Sequence, residues 1–183
     1  MQEYILTQLQ NLVGIDSPTG YFENVQSYLM DELKSMGFSP RCLRKGGVLV
    51  NLGGQGSPLM LLSHVDTLGG FVHYIKENGR LAISNLTLNP NNIETEYVRV
   101  ITRDEQVYEG TIQLEDASVH VNDDVNSPRT FHNLEIVLDE DVKSREDVEK
   151  LGIRAGDVVA VEPRFVVTKK GYIKSRFLDD KAS

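Results

Sequence analysis

The sequence contains almost no cysteine and no long apolar run. Its 183 residues include a single cysteine, Cys42, which excludes an internal disulfide and a zinc site built from cysteines. A lone thiol of this kind fits a reducing compartment. No stretch approaches the roughly 18 apolar residues that a membrane helix needs, and the first residues do not form a charged start followed by an apolar core. We therefore expect a cytoplasmic protein that has no membrane partner.

Positive charge is also scarce. The chain has 19 lysine and arginine residues against 27 aspartate and glutamate residues, so its formal net charge is -8. Nucleic acid binding needs a basic surface that neutralises phosphates, and this composition excludes it as the main function. The hydrophobic content of 40% is that of an ordinary globular chain, long enough for one compact domain or two small ones.

The first part of the chain alternates between helix and strand patterns. Apolar residues recur at helical spacing over residues 4–13 and again over residues 22–36, which predicts two amphipathic helices. Strand patterns follow at residues 40–44, 48–52 and 59–63. This alternation is typical of an α/β domain.

After Asp66 the pattern changes to short strands separated by turns, which is typical of a small antiparallel barrel or sandwich. Asn78-Gly79 predicts a type I′ hairpin turn between two of these strands. The strand patterns lie at residues 71–77, 80–84, 97–102, 106–113, 134–138, 158–161, 164–168 and 172–177. We infer that an all-β module is inserted into the α/β domain. The resulting parts are residues 1–70 of the α/β domain, the insert at 71–164, and the return to the α/β domain at 165–183.

His64 and Asp66 carry the most specific chemical pattern. They follow the apolar residues 59–62, and the alternation of an extended strand places both side chains on one face. Open α/β sheets usually place their chemistry at the carboxyl ends of strands. One interpretation is a metal-binding histidine that is oriented by an aspartate. The alternative is a polar pair that merely caps a buried strand.

Asp179 and Asp180 form a second candidate, at the end of the last predicted strand, where a helix pattern begins with an aspartate at its cap. If the insert is left out, the strands that end at His64 and Asp179 become successive parts of one domain. All these side chains could then face one cleft, although paired aspartates are also common as solvated helix caps. Because the chain stops at Ser183 just as this helix begins, we expect the front part of a longer protein rather than a complete short one with a frayed tail.

Four segments occur in the order found in one known family: Asp16-Ser17-Pro18-Thr19-Gly20-Tyr21-Phe22-Glu23, Ser63-His64-Val65-Asp66-Thr67, Gly152-Ile153-Arg154-Ala155-Gly156-Asp157-Val158-Val159 and Leu178-Asp179-Asp180-Lys181. They resemble the Pro-Ser/Thr-Gly-x-Glu segment, the His-x-Asp metal motif, the Gly-Ile-x-x-Gly-Asp run and the Asp-Asp-Arg/Lys metal motif of the glutamyl and deblocking aminopeptidases. These are cytoplasmic di-metal peptidases that include the tetrahedral aminopeptidases. The resemblance covers nearly the whole chain and the first half of such an enzyme. Two departures are an extra residue before Glu23, and Thr67 where many members carry glutamate.

The resemblance implies a fold, cofactors and partners. The fold would be part of an α/β-sheet catalytic domain, of the phosphorylase/hydrolase-like aminopeptidase type, with an inserted PDZ-like barrel that builds homo-oligomers. The intact enzyme would hold two divalent ions, zinc, cobalt or manganese, and act on peptides. His64 would bind one ion and Asp179 would bridge both. Asp66 would be the catalytic residue that orients His64 and helps to polarise the site. Asp180 would support the bridge or replace Asp179 as the ligand.

The family's catalytic glutamate and its other ligands lie in the half of the enzyme that follows these motifs. We find no substitute for them in this sequence. Asp139-Glu140-Asp141 fits a solvated turn, and the histidines at 73, 120 and 132 fall within the predicted insert, where only His120 could approach the cleft from the rim. We therefore expect a metallo-aminopeptidase whose 183 residues bind metal weakly and are inactive alone. The alternative is a non-catalytic scaffold, or a peptide-binding or assembly module derived from this family.

Overall fold

The computed structural model describes residues 1–118, 120 and 126–183, and it divides into two compact units. The first unit contains Met1–Thr67 and Pro163–Ser183, and the second contains Leu68–Glu162. Within the described residues, every helix is too short or too polar to cross a membrane.

The elements follow the chain in a simple order. The helices are α1 (Gln2–Gly14), α2 (Glu23–Ser35), α3 (Arg145–Lys150) and α4 (Leu178–Lys181), with one 3-10 turn at Pro90–Asn92. The strands of the first unit are β1 (Arg41–Cys42), β2 (Val48–Leu49), β9 (Val166–Val167) and β10 (Ile173–Lys174). The strands of the second unit are β3 (Gly69–Ile75), β4 (Leu81–Asn85), β5 (Tyr97–Ile101), β6 (Val107–Leu114), β7 (Leu134–Leu138) and β8 (Val158–Val161).

The two helices α1 and α2 confirm the prediction from apolar periodicity. Each has one apolar stripe that packs inward and a polar face that meets solvent. Their buried residues are Leu9, Val13 and Val25. The helices therefore supply the small core of the first unit.

The strand patterns of the first unit form less structure than predicted. β1 pairs with β2 and β9 pairs with β10, each as a short antiparallel hairpin. The prediction of a buried strand at residues 59–63 is wrong for this chain, because Leu59, Leu61 and Leu62 are 85%, 78% and 86% exposed and the segment forms no ladder. A strand needs a hydrogen-bonded neighbour, and no other described segment pairs with this one. The described part of this unit therefore contains two short hairpins in place of the predicted sheet.

The second unit is a closed barrel of six antiparallel strands, which confirms the prediction of an all-β module. The strand order is β3-β4-β7-β6-β5-β8, and β8 pairs back with β3. Closure leaves no strand at an open edge. The core consists of alternate apolar side chains from all six strands, among them Val72, Leu81, Ile83, Val98, Val100, Ile112, Ile136 and Val159.

The turn between β3 and β4 differs from the predicted type I′. Lys76 donates its N–H to the carbonyl of Arg80 (2.8 Å) and accepts from the N–H of Gly79 (3.0 Å). Gly79 has a φ of 80°, whereas Asn78 has no positive φ. The connection is therefore a three-residue loop with glycine in the left-handed position. The Asn78 side chain accepts from the N–H of Arg80 (3.1 Å), which favours this alternative.

Candidate metal centre

A short parallel pairing fixes the backbone that carries Asp66. The N–H of Thr67 donates to the carbonyl of Ser17 (2.8 Å), and the N–H of Thr19 donates to the carbonyl of Thr67 (3.2 Å). The hydroxyl of Ser17, which is fully buried, donates to the carbonyl of Val65 (2.8 Å). The loop after α1 therefore holds the segment around Asp66 in register.

Asp66 lies between a threonine hydroxyl and the His64 ring. Its Oδ1 lies 3.2 Å from Nδ1 of His64, and its Oδ2 accepts a hydrogen bond of 2.6 Å from Oγ1 of Thr19. A carboxylate at Nδ1 favours the tautomer in which Nδ1 carries the proton and Nε2 offers a lone pair. This geometry is the one expected of a histidine that binds a metal through Nε2.

The other face of His64 meets the paired aspartates. Nε2 lies 3.5 Å from Oδ1 of Asp179 and 3.8 Å from Oδ2 of Asp180. In this group of three, one ligand atom from each residue lies within 4.8 Å of the others. The structure thus brings His64, Asp66, Asp179 and Asp180 together, although the first and second pairs are far apart in sequence.

The prediction that an aspartate caps the last helix is wrong. Phe177 occupies the cap position of α4 with a φ of 62°, and no side chain caps the helix. Asp179 has extended rather than helical dihedral angles (φ -85°, ψ 115°), and the peptide bond between Asp179 and Asp180 is cis. The extended dihedral angles of Asp179 interrupt the helix at the point where both carboxylates approach His64.

The charges of the cluster suit a cation. Three carboxylates surround one imidazole, and Asp179 is 91% exposed at its side chain. At such exposure a histidine–carboxylate contact adds about 0–1 kcal/mol to stability, so the cluster does little for folding. One imidazole nitrogen and several carboxylate oxygens are ligands that zinc, cobalt and manganese accept. The donor set therefore fits a divalent transition metal.

Lys181 lies beside the aspartate pair and is almost completely buried. Its Nζ donates to the carbonyls of Leu12 (2.7 Å) and Ile15 (3.1 Å) at the end of α1. Burial lowers the pKa of Lys181 to about 8, against the opposing effect of the charges of Asp16 and Asp66. The sequence alone predicts no role for Lys181 or for Thr19. Both residues belong to the family-like segments, but no local pattern indicates which groups they contact.

The remaining sequence candidates lie in the barrel unit. His73, His120 and His132 are exposed there, and residues 139–141 form an exposed turn after β7. Among the described residues, none of them belongs to a group whose ligand atoms could share an ion. The structure therefore gives them no part in the candidate centre.

Comparison with known sequences identifies a family. The sequence pattern of the M42 glutamyl aminopeptidases matches residues 46–183. The YhfE protein of Bacillus subtilis (strain 168), which carries a provisional aminopeptidase name, is 43% identical to this chain over 179 residues. That match covers 96% of this chain and 52% of YhfE.

Two solved structures of archaeal peptidases have a similar fold. An aminopeptidase from Desulfurococcus kamchatkensis matches with a TM-score of 0.85 and 26% identity, over 98% of this chain and 49% of that one. The TET1 peptidase of Pyrococcus horikoshii, which can assemble into a tetrahedron or a large octahedral shell, matches with a TM-score of 0.83. Its identity is 21%, over 97% of this chain and 52% of that one.

The chain thus spans about half the length of each of these relatives. The family pattern covers more than half of the chain, and it includes both the segment around His64 and the aspartate pair. This confirms the resemblance seen in the sequence motifs. The chain belongs to the M42 glutamyl aminopeptidase family.

Proposed function

We propose that this chain supplies part of a metal-dependent aminopeptidase, which removes N-terminal residues from peptides with the help of two divalent ions. One observation carries the proposal. The His64 segment and the aspartate pair meet around one potential cation site, and the hydroxyl of Ser63 donates to the carbonyl of Asp180 (3.3 Å) across 117 positions of sequence. Family membership supports the same chemistry.

Each residue of the cluster has a proposed role. His64 would hold one ion through Nε2, and Asp179 would be the ligand that both ions share. Asp180 supports the bridge or takes the place of Asp179, and Asp66 fixes the tautomer of His64. Bound zinc, cobalt or manganese would supply an activated water and polarise the peptide carbonyl. Because the chain spans about half of its relatives, we expect catalysis to need a general base and ligands from the corresponding second half.

The proposed partners follow from the family and from the barrel. Peptides are the proposed substrates, and we propose that the barrel unit joins copies of the chain. The TET1 peptidase of Pyrococcus horikoshii, which can assemble into a tetrahedron or a large octahedral shell, supports this role. The single cysteine, Cys42, is free and exposed, which supports a location in the reducing cytoplasm.

The first test is a calorimetric titration of the 183-residue protein with Co²⁺. We expect weak binding, because a partial ligand set holds an ion poorly. His64→Ala should abolish it, and Asp179→Asn should abolish it where Asp179 rather than Asp180 is the ligand. His132→Ala, which changes an exposed histidine of the barrel unit, is the matched control and should bind as the unsubstituted chain does. Equal binding by the His64→Ala variant would contradict the proposed site.

The second test concerns activity. Sequencing the gene beyond the codon for Ser183 determines whether one polypeptide carries the remaining half of the enzyme. The longest product should release aminoacyl anilides, lose this activity on chelation and regain it when a divalent metal is added. Unchanged cleavage by His64→Ala with intact metal content would refute the role of His64.

A second candidate function is a scaffold without catalysis. The barrel unit is closed and has its own core, whereas the candidate centre is open to solvent. These features would suit an assembly or peptide-binding module whose aspartates have lost their role. If the chain binds no zinc, cobalt or manganese and its longest product cleaves no aminoacyl anilide, this function replaces the first.

A further inference from the structure

The Lys181 side chain joins the aspartate turn to the end of α1. Only 5% of the residue is exposed, and its ammonium donates to the carbonyls of Leu12 and Ile15 at 2.7 and 3.1 Å. The last carbonyls of a helix lack their usual donors and carry its negative partial charge. The ammonium therefore adds a charged donor to this end of α1, where the carbonyl of Leu12 also accepts the N–H of Ile15 (3.3 Å).

Burial of the Lys181 ammonium is unfavourable unless hydrogen bonds hold it in place. Removing an ammonium from water costs several kcal/mol, and a lysine is almost never fully buried without partners. An apolar side chain of similar length could fill the same space at less cost, so simple packing does not explain a charge here. Its two bonds instead fix the distance between the backbone at residue 181 and the last turn of α1.

The aspartate turn is thereby held from two sides. On one side, the Ser63 hydroxyl next to His64 donates to the carbonyl of Asp180. On the other side, Lys181 follows Asp180 directly and is bonded to α1. Within the turn, the N–H groups of Ala182 and Ser183 donate to the carbonyls of Leu178 (2.8 Å) and Asp180 (2.9 Å).

We propose that Lys181 is a positioning residue, which holds Asp179 and Asp180 at their distance from His64 by bonding the end of α1 and so sets the affinity of the cluster for a divalent cation. The inference deepens the proposed function and rests on it for the nature of the ligand. It also assigns a role to α1, which lies outside the residues 46–183 that the family pattern matches. The N-terminal helix then becomes part of the support of the candidate metal centre.

The test compares variants of Lys181 in the 183-residue protein, with Co²⁺ as the probe. Lys181→Met keeps the length of the side chain and removes the donor, so we expect Co²⁺ to bind about tenfold more weakly, as is usual when a residue that supports a metal ligand is lost. Lys181→Arg can still bond both carbonyls and should restore most of the affinity. If Lys181→Met does not fold, Lys181→Gln takes its place, because its shorter amide reaches one carbonyl at most.

A matched control separates positioning from general stability. Val25→Ala removes buried volume from α2 in the same unit and should destabilise the fold while leaving the affinity for Co²⁺ unchanged. A loss of affinity in Val25→Ala equal to that in Lys181→Met would overturn the positioning role. Unchanged affinity in a folded Lys181→Met or Lys181→Gln variant would overturn it as well.

Hydrogen exchange in the metal-free protein gives a second readout. The amides of Ala182 and Ser183 should exchange faster in Lys181→Met than in Val25→Ala, because only the first variant releases the turn. Unchanged protection of these amides contradicts the inference without reference to any metal. Faster exchange, together with no Co²⁺ binding by the unsubstituted chain, would support the role of Lys181 in holding the turn and would contradict the proposed metal site.

Discussion

Thr19 shows how one hydroxyl can act on a group that it does not touch. It donates to Oδ2 of Asp66, whose other oxygen lies against Nδ1 of His64. Loss of the hydroxyl frees the carboxylate to rotate away from the ring. We therefore expect Thr19 to influence the orientation of the His64 ring through Asp66.

Replacement of this hydroxyl should weaken metal binding without unfolding the chain. We expect Thr19→Val to weaken the free energy of Co²⁺ binding by about 1 kcal/mol, the net value of one hydrogen bond. This corresponds to about a fivefold loss of affinity. Long-range proton–nitrogen spectra of the His64 ring should show a smaller fraction of the tautomer with its proton on Nδ1. Thr19→Ser keeps the hydroxyl and should restore both readouts. A Thr19→Val variant with an unchanged ring spectrum would contradict this role.

Glu135 is the most deeply buried charge among the described residues of the barrel unit. It is 0% exposed, it accepts from Nζ of Lys76 at 2.7 Å, and it is also bonded to Arg80. Burial acts to lower the pKa of Lys76, but hydrogen bonds to Glu135 and Glu115 outweigh it, so the pKa lies above its usual value of 10.5. The cluster therefore favours the charged lysine in the folded state.

Glu135→Gln should destabilise the barrel, because it leaves two cations beside a neutral side chain. The free energy of unfolding should fall by about 3 kcal/mol. This is the lower end of the range for a broken buried ion pair, because Arg80 still reaches water. Urea denaturation measures it. Glu140→Gln, in the exposed turn after β7, is the control and should change the free energy of unfolding by less than about 0.5 kcal/mol. Equal stability of both variants would contradict this account.

The same cluster predicts a pH dependence. A folded-state pKa of Lys76 above its unfolded value means that the added stability is fully present below pH 10.5 and is lost as the pH rises through the folded-state value. Glu135→Gln should lose less stability than the unsubstituted protein over that alkaline range. Denaturation curves at pH 9 to 12 provide the comparison, and parallel declines for both proteins would be inconsistent with it.

At the scale of elements, β6 and β7 approach each other too closely for a side chain at one position. A Cβ placed on Gly110 of β6 would lie 2.6 Å from the carbonyl oxygen of Val137 in β7. Backbone atoms cannot move away as a flexible side chain can. Glycine is therefore required here by the spacing of two strands.

Gly110→Ala should therefore destabilise the barrel by about 1–3 kcal/mol, as is typical of overpacking. Thermal unfolding measures the effect. Gly14→Ala is the control, because a Cβ at the end of α1 meets nothing within 4 Å and Gly14 has no positive φ. That change should be neutral or slightly stabilising. A Gly110→Ala variant as stable as Gly14→Ala would disprove the steric requirement.

Helices and strands could be predicted where the sequence pattern alone determines them. Apolar periodicity locates α1 and α2, and residues 134–138 of β7 have the predicted bounds. The run 59–63 carries an equally good strand pattern and forms no strand, because pairing depends on a neighbour and not on the run itself.

For the site, the sequence could point to His64, Asp66 and the aspartate pair as candidates. It could not indicate Thr19 or Lys181, since their partners lie 47 and 166 to 169 positions away.

At the scale of the whole molecule, the exposed apolar segment at residues 59–62 is the feature that most favours association between copies. Leu59, Met60, Leu61 and Leu62 are adjacent and all largely exposed. Monomeric proteins rarely expose contiguous apolar patches of this kind, which mark interaction sites or promote aggregation. We expect the 183-residue protein to associate with itself as its concentration rises.

One substitution tests this expectation. Leu61→Lys should shift the association to higher concentration, because a charge in the middle of the segment opposes contact between copies. Sedimentation velocity over a range of concentrations measures the change. Val107→Lys places the same charge at an isolated exposed position of the barrel and should have no such effect. Identical behaviour of the two variants would assign the association to another surface.

The pairing of β3 with β8 has a consequence for how this chain can be cut and rejoined. Gly69 stands opposite Ala160 in that ladder, so the polypeptide enters and leaves the barrel at neighbouring points. Neighbouring ends are what allow one domain to be carried inside another. The barrel is in this sense a cassette. It could be exchanged for a short linker or a foreign domain, in evolution or by design, while His64 and the aspartate pair keep their own scaffold.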